Sequence, residues 1–327
     1  MNWTGKRVLV TGAGGFIGSH LTERLVEQGA NVRALVHYNA LQSRGWLDHS
    51  PVRSEVEVLF GDISDRDSVR AAMRDVVVVF HLAALIGIPY SYHAPLSYVR
   101  TNVEGTLNIL QAARELSVER LVHTSTSEVY GTARYVPIDE LHPLQGQSPY
   151  AASKIGADKM AEAFHLSFGL PVVTVRPFNT FGPRQSARAV IPTIIVQCLS
   201  RDAIHLGNTY PTRDLNYVAN TVEGFLLAAS TPEAIGQTIH LGSGQEIGIG
   251  ELALLIGRLV GREITIETDA KRVRPNGSEV DHLLADNTRA QKLLNWSPQV
   301  GLEEGLVRTI DWIRQHVERY RLGAYVL

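Results

Sequence analysis

The chain has 327 residues, of which 44% are apolar, and its formal net charge is −2. That length allows one large α/β domain and a smaller second one. Because the charge is near zero and no basic block occurs, we expect neither nucleic acid nor an anionic membrane as a partner. The sequence shows no signal peptide and no apolar run of membrane-spanning length, which favours the cytoplasm. The single cysteine, Cys198, lies in an apolar stretch and is predicted to be a core residue.

The first strand and the loop after it predict a dinucleotide site. The apolar run Arg7–Thr11 is typical of a buried strand, and a helix is predicted over 19–28. Between them stand three glycines with the spacing of a phosphate-binding turn: Gly12, Gly15 and Gly18. They allow a tight turn, a close approach of a pyrophosphate to the backbone, and close packing of helix on strand. The phosphates are expected beside Phe16 and Ile17, because free N–H groups and the helix dipole attract anions there.

The end of the second predicted strand, 32–36, does not decide between NAD and NADP. An NAD-specific site usually has an acid there to hold the ribose diol, and this chain has His37 instead. No clear arginine pair is present to bind a 2′-phosphate, although Arg44 is near in sequence. We favour NAD and leave NADP open.

The third and fourth strands supply further candidates for cofactor contacts. Asp62 and Ile63 end a strand predicted over 56–63, and Asp62 is expected to accept a hydrogen bond from the adenine amine. Alternatively, Asp62 caps the helix that follows. The fourth strand, predicted over 76–80, leads to His81, which we interpret as a packed strand-end histidine rather than a catalyst. Small residues after it would let a flat cofactor lie against the backbone: Leu82, Ala83 and Ala84.

The strongest catalytic pattern is Tyr150-x-x-x-Lys154, which places two side chains one helical turn apart. The ammonium is expected to lower the pKa of the phenol, and a phenolate is a usable general base. Thr126, after a strand predicted over 121–125, can share the same substrate proton. Glu128 adds a carboxylate for which simple alcohol oxidation has no use. Tyr-x-x-x-Lys also occurs by chance in helices. We interpret it as catalytic here because a dinucleotide-binding turn is predicted upstream.

Strand-like and helix-like runs alternate through about residue 179, which predicts an α/β fold with a doubly wound parallel sheet of the Rossmann type. Residues 1–180 are assigned to a dinucleotide-binding domain, which a late strand at 238–241 rejoins. Residues 181–327 are predicted to form mainly a smaller C-terminal substrate-binding lobe, with a strand at 263–267 and a helix over 302–320. A substrate would lie in the cleft at the C-terminal ends of the strands.

With these motifs in place, the chain resembles the extended short-chain dehydrogenase/reductases that act on nucleotide sugars. The resemblance covers essentially the whole chain and is carried by residues 11–18, 61–63, 81–84, 102–106, 129–131, 150–154, 176–179, 182–184 and 213–214. Within that family, the sequence is most similar to the hexosamine 4,6-dehydratases of legionaminic acid biosynthesis. That likeness rests on residues 88–93, 123–128, 143–150, 184–192 and 211–214.

The resemblance implies roles for matching positions. Thr126, Tyr150 and Lys154 match the catalytic triad of the superfamily. Three residues match those that bind the diphosphate of a sugar nucleotide, and a fourth lies in a segment near the nucleobase: Asn179, Arg213, Arg274 and Val190. A guanidinium suits bidentate phosphate binding, although by themselves these arginines would be read as solvated cations.

The chain departs from many sugar-nucleotide 4,6-dehydratases at one catalytic position. They carry an Asp-Glu pair after the catalytic threonine, and here the pair is Ser127-Glu128. The same Thr-Ser-Glu resembles GDP-mannose 4,6-dehydratases and also UDP-glucuronate decarboxylases. The tripeptide therefore leaves loss of water and loss of CO₂ open, as well as the acid at O6.

The predicted function is an NAD(P)-dependent 4,6-dehydration of a UDP- or GDP-linked N-acetylhexosamine to the 4-keto-6-deoxy sugar. A 4-epimerase, a UDP-glucuronate decarboxylase and a dinucleotide-sensing binding protein remain alternatives. The resemblance also implies a homodimer, in which the helices around 102–116 and 150–154 pair across a two-fold axis. Apolar positions compatible with that bundle are Val103, Leu107, Leu110, Ala157, Met160, Ala161 and Phe164. They are equally compatible with helices that face the sheet.

Overall fold

A seven-stranded parallel sheet forms the centre of the computed structural model, which describes residues 1–273 and 279–320. The strands are β1 Arg7–Thr11, β2 Asn31–His37, β3 Glu57–Gly61, β4 Val78–His81, β5 Arg120–Thr124, β6 Val172–Pro177, β7 Asn179–Phe181, β8 Ala203–Leu206, β9 Thr212–Tyr217, β10 Thr238–Leu241, β11 Glu246–Gly248, β12 Thr265–Thr268 and β13 His282–Leu283. The helices are α1 Phe16–Glu27, α2 Arg66–Ala72, α3 Ile88–His93, α4 Pro95–Tyr98, α5 Gly105–Glu115, α6 Pro149–Phe168, α7 Val190–Ser200, α8 Val218–Ser230, α9 Ile249–Val260, α10 Thr288–Leu294 and α11 Leu302–Gln315.

The order of the large sheet is β10-β6-β5-β4-β1-β2-β3, and every neighbouring pair is parallel. Such a sheet is covered by helices on both faces, which explains why β1 and β4 are nearly continuous buried apolar runs. The predicted doubly wound α/β fold is confirmed. The order reverses between β1 and β4, which is where ligands bind in sheets of this kind.

The parallel register brings the C-terminal ends of three strands together at that reversal. Thr11 of β1 pairs with His81 of β4, and His81 pairs with His123 of β5. The loops that leave these strands therefore start side by side. They carry the phosphate-binding turn, the segment 82–84 and the segment 125–130.

Helix α6 has clear signals at both ends. Ser148 is its N-cap and accepts a hydrogen bond from the Ala151 amide at 3.1 Å, and Pro149 occupies the first helical position. Gly169 ends the helix at φ 65°, a left-handed conformation that favours glycine. The 20-residue helix places Tyr150 and Lys154 on one face, which packs against the sheet and the α5 region.

The second half of the chain builds two small sheets and also returns to the large one. Strands β11, β9 and β13 form one sheet, with β7 paired to β9, while β8 and β12 form the other. Helix α8 packs against β5 and β6, and β10 pairs in parallel with β6. Because one apolar cluster includes residues from the large sheet, α7, α8, α9 and α11, the two halves share a core.

Some predicted boundaries shift by a few residues. Helix α1 begins at Phe16, three residues before its predicted start, because the glycine turn passes directly into the helix. Helix α11 ends at Gln315, and a 3-10 turn over Val317–Arg319 follows. Cys198 is buried and free, as predicted. Among the described residues, no helix is both long and apolar enough to cross a membrane.

Candidate active site

The phosphate-binding turn is built so tightly that side chains are excluded from it. Gly12 has φ +70°, and a Cβ there would stand 2.9 Å from the Ala83 amide nitrogen. A Cβ on Gly18 would stand 2.3 Å from the Gly12 carbonyl oxygen. Helix α1 has no side-chain N-cap and no acid in its first turn, so within the described part of the chain no such group occupies the amides beside Phe16 and Ile17. A bare helix N-terminus behind an exposed Gly15 is a geometry that fits a pyrophosphate.

The loop after β2 closes over the outside of this turn. The Trp46 amide donates to the Gly14 carbonyl at 3.0 Å, and the Trp46 ring packs at 5.2 Å on Trp312 of α11. Arg44 contributes its backbone to this packing, since a Cβ on Gly14 would stand 2.5 Å from the Arg44 carbonyl oxygen. No sequence pattern indicated that α11 supports the cofactor turn.

His37 and Asp62 lie side by side at the ends of β2 and β3. His37 Nε2 is 3.5 Å from Asp62 Oδ2; the His37 side chain is largely exposed and that of Asp62 partly so. Asp62 also accepts from the Ser64 amide at 2.9 Å. Burial tends to raise the pKa of Asp62, but the hydrogen bonds from Ser64 and the nearby His37 lower it overall. The alternative that Asp62 caps α2 is wrong, because the N-cap is Asp65, which accepts from the Ser68 amide at 2.9 Å.

The side chain of Ile63 is buried at 5% exposure and packs against Gly105 rather than toward the cleft. Only its backbone remains for a cofactor contact. The Ile63 carbonyl itself accepts a hydrogen bond from the Asn108 amide group at 3.0 Å.

The segment after β4 is held by hydrogen bonds from the strand ends. Thr11 Oγ1 accepts from the amides of Leu82 and Ala83 at 3.1 and 3.0 Å, and lies 2.9 Å from His81 Nδ1. His81 Nε2 lies 3.0 Å from Thr106 Oγ1. His81 is thus a buried packing residue, as interpreted from the sequence. Leu82, Ala83 and Ala84 are half-buried beside the turn, where they leave room for a flat ring.

Thr126, Glu128 and Tyr150 come together at one corner of the cleft. Thr126 is the N-cap of the 3-10 turn Ser127–Tyr130, and its hydroxyl accepts from the Glu128 amide at 3.2 Å. The Thr126 hydroxyl is close enough to the Tyr150 phenol to lower its pKa, and the charge of Glu128 acts on that pKa in the opposite direction. Ser127 is buried at 3% exposure, and Glu128 is half-buried. The turn thereby brings a carboxylate toward the phenol that the sequence singled out.

Lys154 is buried at 4% exposure, and its Nζ donates to the Thr124 carbonyl at 2.7 Å. Burial lowers the pKa of Lys154 to about 8, although the charge of Asp158 raises it in part. The pKa of Tyr150 is raised, chiefly by burial, while the Thr126 hydroxyl opposes the rise. For the chain by itself, the pKa of Tyr150 is therefore raised overall and not lowered, because desolvation outweighs the charge effects on it; the contribution of Lys154 stays a prediction.

The substrate residues implied by the resemblance lie around β7, β9 and α7. Asn179 begins β7, and its Oδ1 is buried with no hydrogen-bond partner among the described residues. Val190 is half-buried at the first position of α7. Arg213 is on β9, next to β7, and donates to the Thr212 and Val280 carbonyls at 2.8 and 2.7 Å. Arg213 also lies 3.6 Å from a Glu279 carboxylate oxygen, while Arg274 falls outside the described residues.

Four of the apolar residues assigned to a dimer bundle are buried within the chain itself: Leu110, Ala157, Ala161 and Phe164. They pack in the core between the sheet and its helices, so they cannot form the surface of a bundle. Val103, Leu107 and Met160 are half-buried.

The sequence did not predict two residues that lie beside the catalytic corner, Tyr98 and Asp158. Tyr98 places its ring 6.3 Å from that of Tyr150, and its hydroxyl donates to the Gly87 carbonyl at 2.5 Å. Asp158 lies one turn after Lys154 on the same face of α6 and binds Arg176 at 2.9 Å. The four-residue spacing from Lys154 was the available signal for Asp158, whereas nothing local marked Tyr98.

Comparisons with known proteins agree with this geometry. Residues 9–309 match a family model described as GDP-mannose 4,6 dehydratase. The chain is 34% identical to the UDP-glucose 4-epimerase of Mycolicibacterium smegmatis, covering 94% of this chain and 98% of that one. It is 33% identical to the UDP-N-acetyl-alpha-D-glucosaminuronate decarboxylase of Bacillus cytotoxicus, covering 95% and 98%. The crystal structure of the dTDP-glucose 4,6-dehydratase DesIV from Streptomyces venezuelae, solved with NAD bound, superposes with a TM-score of 0.87 at 30% identity, covering 96% and 98%.

The chain therefore belongs to the extended short-chain dehydrogenase/reductase family of nucleotide-sugar dehydratases and epimerases. It is an enzyme of that family, acting on nucleotide sugars. These three relatives carry an epimerisation, a decarboxylation and a dehydration in their names. The legionaminic type of specificity remains a prediction from the sequence.

Proposed function

We propose that the protein is a nucleotide-sugar 4,6-dehydratase, a lyase that uses NAD and converts a UDP- or GDP-linked N-acetylhexosamine to its 4-keto-6-deoxy form. The observation that carries the proposal is the position of Glu128. Its charge acts on Tyr150 from the same short turn whose N-cap, Thr126, is close enough to that phenol to lower its pKa. Oxidation at C4 alone has no task for this carboxylate, but removal of a C5 proton requires one.

NAD fits the cleft on three features of this chain. The glycine turn leaves space that any Cβ would fill, and the first turn of α1 has no side-chain N-cap. Leu82 and Ala83 are fixed beside that turn through Thr11. When bound there, NAD supplies the acceptor for the C4 hydride and later the donor to C6. His37 and Asp62 lie at the ends of β2 and β3, near where the adenosine is held in this fold, and the Asp62 carboxylate would repel a 2′-phosphate.

The first chemical step belongs to Tyr150, Thr126 and Lys154. The Tyr150 phenolate takes the proton from the sugar 4-hydroxyl, while the Thr126 hydroxyl holds O4 in line. Lys154 is anchored by the Thr124 carbonyl, with its remaining N–H groups available for the cofactor ribose. Because burial raises the pKa of Tyr150, the phenolate must be stabilised by positive charge in the assembled complex.

The second step belongs to Glu128. The C4 ketone makes the neighbouring C5 proton acidic, and the Glu128 carboxylate removes it. The 6-hydroxyl then leaves as water and needs a proton. Ser127 is buried and adjacent, so either Glu128 returns the proton that it took or Ser127 relays one. When hydride returns to C6, C5 must take up a proton, which Glu128 delivers after it has been reprotonated from solvent. Because hydride returns within the same active site, NAD is expected to remain bound through many turnovers.

Glu128→Gln tests the proposal. The variant should still oxidise C4 but stall before water loss, so that NADH absorbance builds up and substrate C5 does not exchange with deuterated water. Glu233→Gln, an exposed carboxylate away from the cleft, is the matched control and should behave as wild type. Undiminished dehydration by Glu128→Gln would show that another residue takes the C5 proton.

The same variant separates the alternatives. A 4-epimerase would interconvert C4 isomers at a near-normal rate after Glu128→Gln, since it performs no chemistry at C5. A dinucleotide-sensing protein would give no product with any sugar nucleotide. Mass analysis after incubation with UDP- and GDP-linked GlcNAc, glucose and glucuronate identifies the reaction and the nucleobase. Loss of water, loss of CO₂ and an unchanged mass distinguish the three chemistries.

One observation favours a uronate decarboxylase as the second candidate. Such an enzyme needs a cation near the C6 carboxylate, and Arg188 lies close to the catalytic corner. A Cβ on Gly87 would stand 2.9 Å from Arg188 Nη1, and the charge of Arg188 acts on Tyr98, which contacts Tyr150. If the protein is a decarboxylase, Arg188→Gln should raise the KM for UDP-glucuronate. It should leave the Ki of a 6-hydroxy sugar nucleotide, measured as a competitive inhibitor, unchanged.

A homodimer is part of the proposal, with a surface revised by the structure. Several large apolar side chains near α4 and the end of α6 are exposed: Leu96, Val99, Leu166 and Phe168. Because they are exposed, these side chains can contact a second copy of the chain, which the buried Leu110, Ala157, Ala161 and Phe164 cannot do. Light scattering at micromolar protein should give twice the mass of 36.0 kDa. A monomer mass would remove the dimer, and Val99→Glu should weaken it if this surface is used.

A further inference from the structure

Behind Lys154 lies a group of buried polar side chains centred on Asp158. Asp158 is 4% exposed and follows Lys154 by one turn of α6. Its Oδ1 is 3.0 Å from His123 Nε2, and its Oδ2 accepts from the Ser125 hydroxyl at 2.5 Å. Arg176 of β6 donates to the same Oδ2 from Nη2 at 2.9 Å. Contacts from β5, from the loop after it and from β6 therefore fix this carboxylate.

The group continues away from the cleft and holds Arg176 in turn. Arg176 Nη1 donates to the Tyr130 hydroxyl at 2.6 Å, and that hydroxyl lies 2.5 Å from His240 Nε2. The His240 amide donates to Glu140 at 3.1 Å. All of these side chains are buried, so they form a rigid support rather than a solvated surface network.

The charges near Lys154 can be assigned from the elements that surround it. The titratable groups are Tyr150 and Asp158 of α6, Glu128 of the adjoining turn, His81 of β4, His123 of β5 and Arg176 of β6. Burial lowers the pKa values of both histidines, so neither carries a positive charge at neutral pH. Burial raises the pKa of Tyr150, so it is neutral too. The charge that acts on the Lys154 ammonium is that of Asp158, with Arg176 bound on its other side.

We propose that Asp158 is a positioning residue, whose buried carboxylate keeps the Lys154 side chain charged and directed at the Thr124 carbonyl. A charged ammonium in a site without water requires a fixed counter-charge nearby. The hydrogen bonds from His123, Ser125 and Arg176 prevent this carboxylate from turning away. The inference rests on the proposed use of Lys154 in C4 oxidation, a step common to dehydration, epimerisation and decarboxylation.

The direction of the effect follows from the Lys154 pKa. Burial lowers it to about 8, and Asp158 opposes that fall. Without the carboxylate the pKa falls further, so Lys154 loses its proton at a lower pH. The alkaline limb of the pH–rate profile then moves to lower pH. A role in folding alone would reduce activity equally at every pH.

The experiment measures the Lys154 pKa directly, because the chain has only five lysines: Lys6, Lys154, Lys159, Lys271 and Lys292. Protein labelled with ¹³C at lysine Cε is titrated by NMR, with and without NAD, and Lys154→Met assigns the signal. Asp158→Asn alone would leave Arg176 as an uncompensated buried charge, so the test variant is Asp158→Asn/Arg176→Met. We expect its Lys154 pKa to fall by about one unit or more. Glu162→Gln, an exposed carboxylate on the same helix, should leave it unchanged.

Kinetics supply the second readout, with whichever sugar nucleotide the wild type converts. The alkaline limb of kcat should move with the NMR pKa in the double variant, while the KM for the sugar stays within about twofold. Asp158→Glu keeps the charge, so its Lys154 pKa should remain near that of wild type. An unshifted Lys154 signal in the folded double variant, or a loss of kcat equal at all pH values, would overturn the proposal. Since the titration needs no substrate, a wrong reaction assignment cannot change the Lys154 pKa that it measures.

Discussion

The phosphate-binding turn and the catalytic corner lie at the same edge of the large sheet, after β1 and β5 with β4 between them, yet they are built in opposite ways. The turn is made of backbone, and its walls are defined by the absence of Cβ atoms at Gly12 and Gly18. The corner is made of side chains that are almost fully buried, with shifted pKa values at Tyr150 and Lys154. We therefore expect one added carbon in the turn to lower the affinity for NAD. One changed charge or lost proton in the corner should lower kcat.

The largest expected effect is at the corner. Tyr150→Phe removes one oxygen and no volume from the cleft, and loss of a general base typically lowers kcat by about a hundredfold to ten-thousandfold. Binding of NAD should be unchanged, because the glycine turn is untouched. Steady-state kinetics and NAD titration check both statements. Tyr38→Phe, at an exposed tyrosine, is the control. Near-normal turnover by Tyr150→Phe would remove this residue from the mechanism.

A smaller effect is expected at the turn, and of a different kind. Gly18→Ala places a Cβ 2.3 Å from the Gly12 carbonyl oxygen, so the backbone must shift. We expect the affinity for NAD to fall at least about tenfold and the stability by about 1–3 kcal/mol. At saturating NAD, kcat should remain near that of wild type.

Gly250→Ala is the matched control for the turn. Its nearest neighbours would lie at an ordinary 3.6 Å, and the residue is in the first turn of α9. NAD affinity and stability should therefore not decrease. If Gly18→Ala lowered kcat but not NAD affinity, it would be wrong to assign cofactor binding to the turn and catalysis to the corner.

The smallest predicted effect concerns His20, which lies on α1, the helix that follows the phosphate-binding turn. Like Lys154 in the catalytic corner, it has a pKa that burial lowers. Burial, and next the charge of Arg184, lowers the pKa of His20 to about 4. Its Nε2 is 3.1 Å from the Pro183 carbonyl, which joins α1 to the second half of the chain. Since the folded pKa is below the unfolded value, the unfolded state binds more protons between pH 6.5 and 4.

Stability should accordingly fall as the pH falls through that window. At pH 5 the expected loss from His20 is about 2 kcal/mol relative to pH 7. Urea unfolding at both pH values measures it, and His20→Gln should lose less stability than wild type. An identical pH dependence in the two proteins would mean that His20 is solvated in the folded state.

Much of the first half of the chain could be predicted from sequence because its rules are local. A glycine that must adopt φ +70°, as Gly12 does, is recognisable without any tertiary contact. The same holds for α6, whose Ser148, Pro149 and Gly169 mark its ends. Where the local rule was ambiguous, as for Asp62 and Asp65 before α2, the choice depended on which carboxylate reached the helix amides.

The electrostatics of the corner could not be predicted in the same way. The Tyr150–Lys154 spacing identified both residues, but it suggested a lowered phenol pKa where burial raises it. Desolvation depends on every atom packed around a group, including Tyr98, which is about fifty positions away in sequence. For the same reason, Leu110 and Phe164 had the pattern of a surface for a partner and are core residues of the chain itself.

The sequence by itself determined the fold class and the turn for the dinucleotide, because spacing along a strand, turn or helix specifies them. It also selected Thr126, Glu128, Tyr150 and Lys154 as the catalytic candidates. Tertiary structure alone decided that Glu128 acts on Tyr150 and that Asp158 faces Lys154 with Arg176 behind it. It also decided that Trp312 supports the cofactor turn through Trp46. These contacts join residues from separate strands and helices, and their energies depend on burial, which no local pattern encodes.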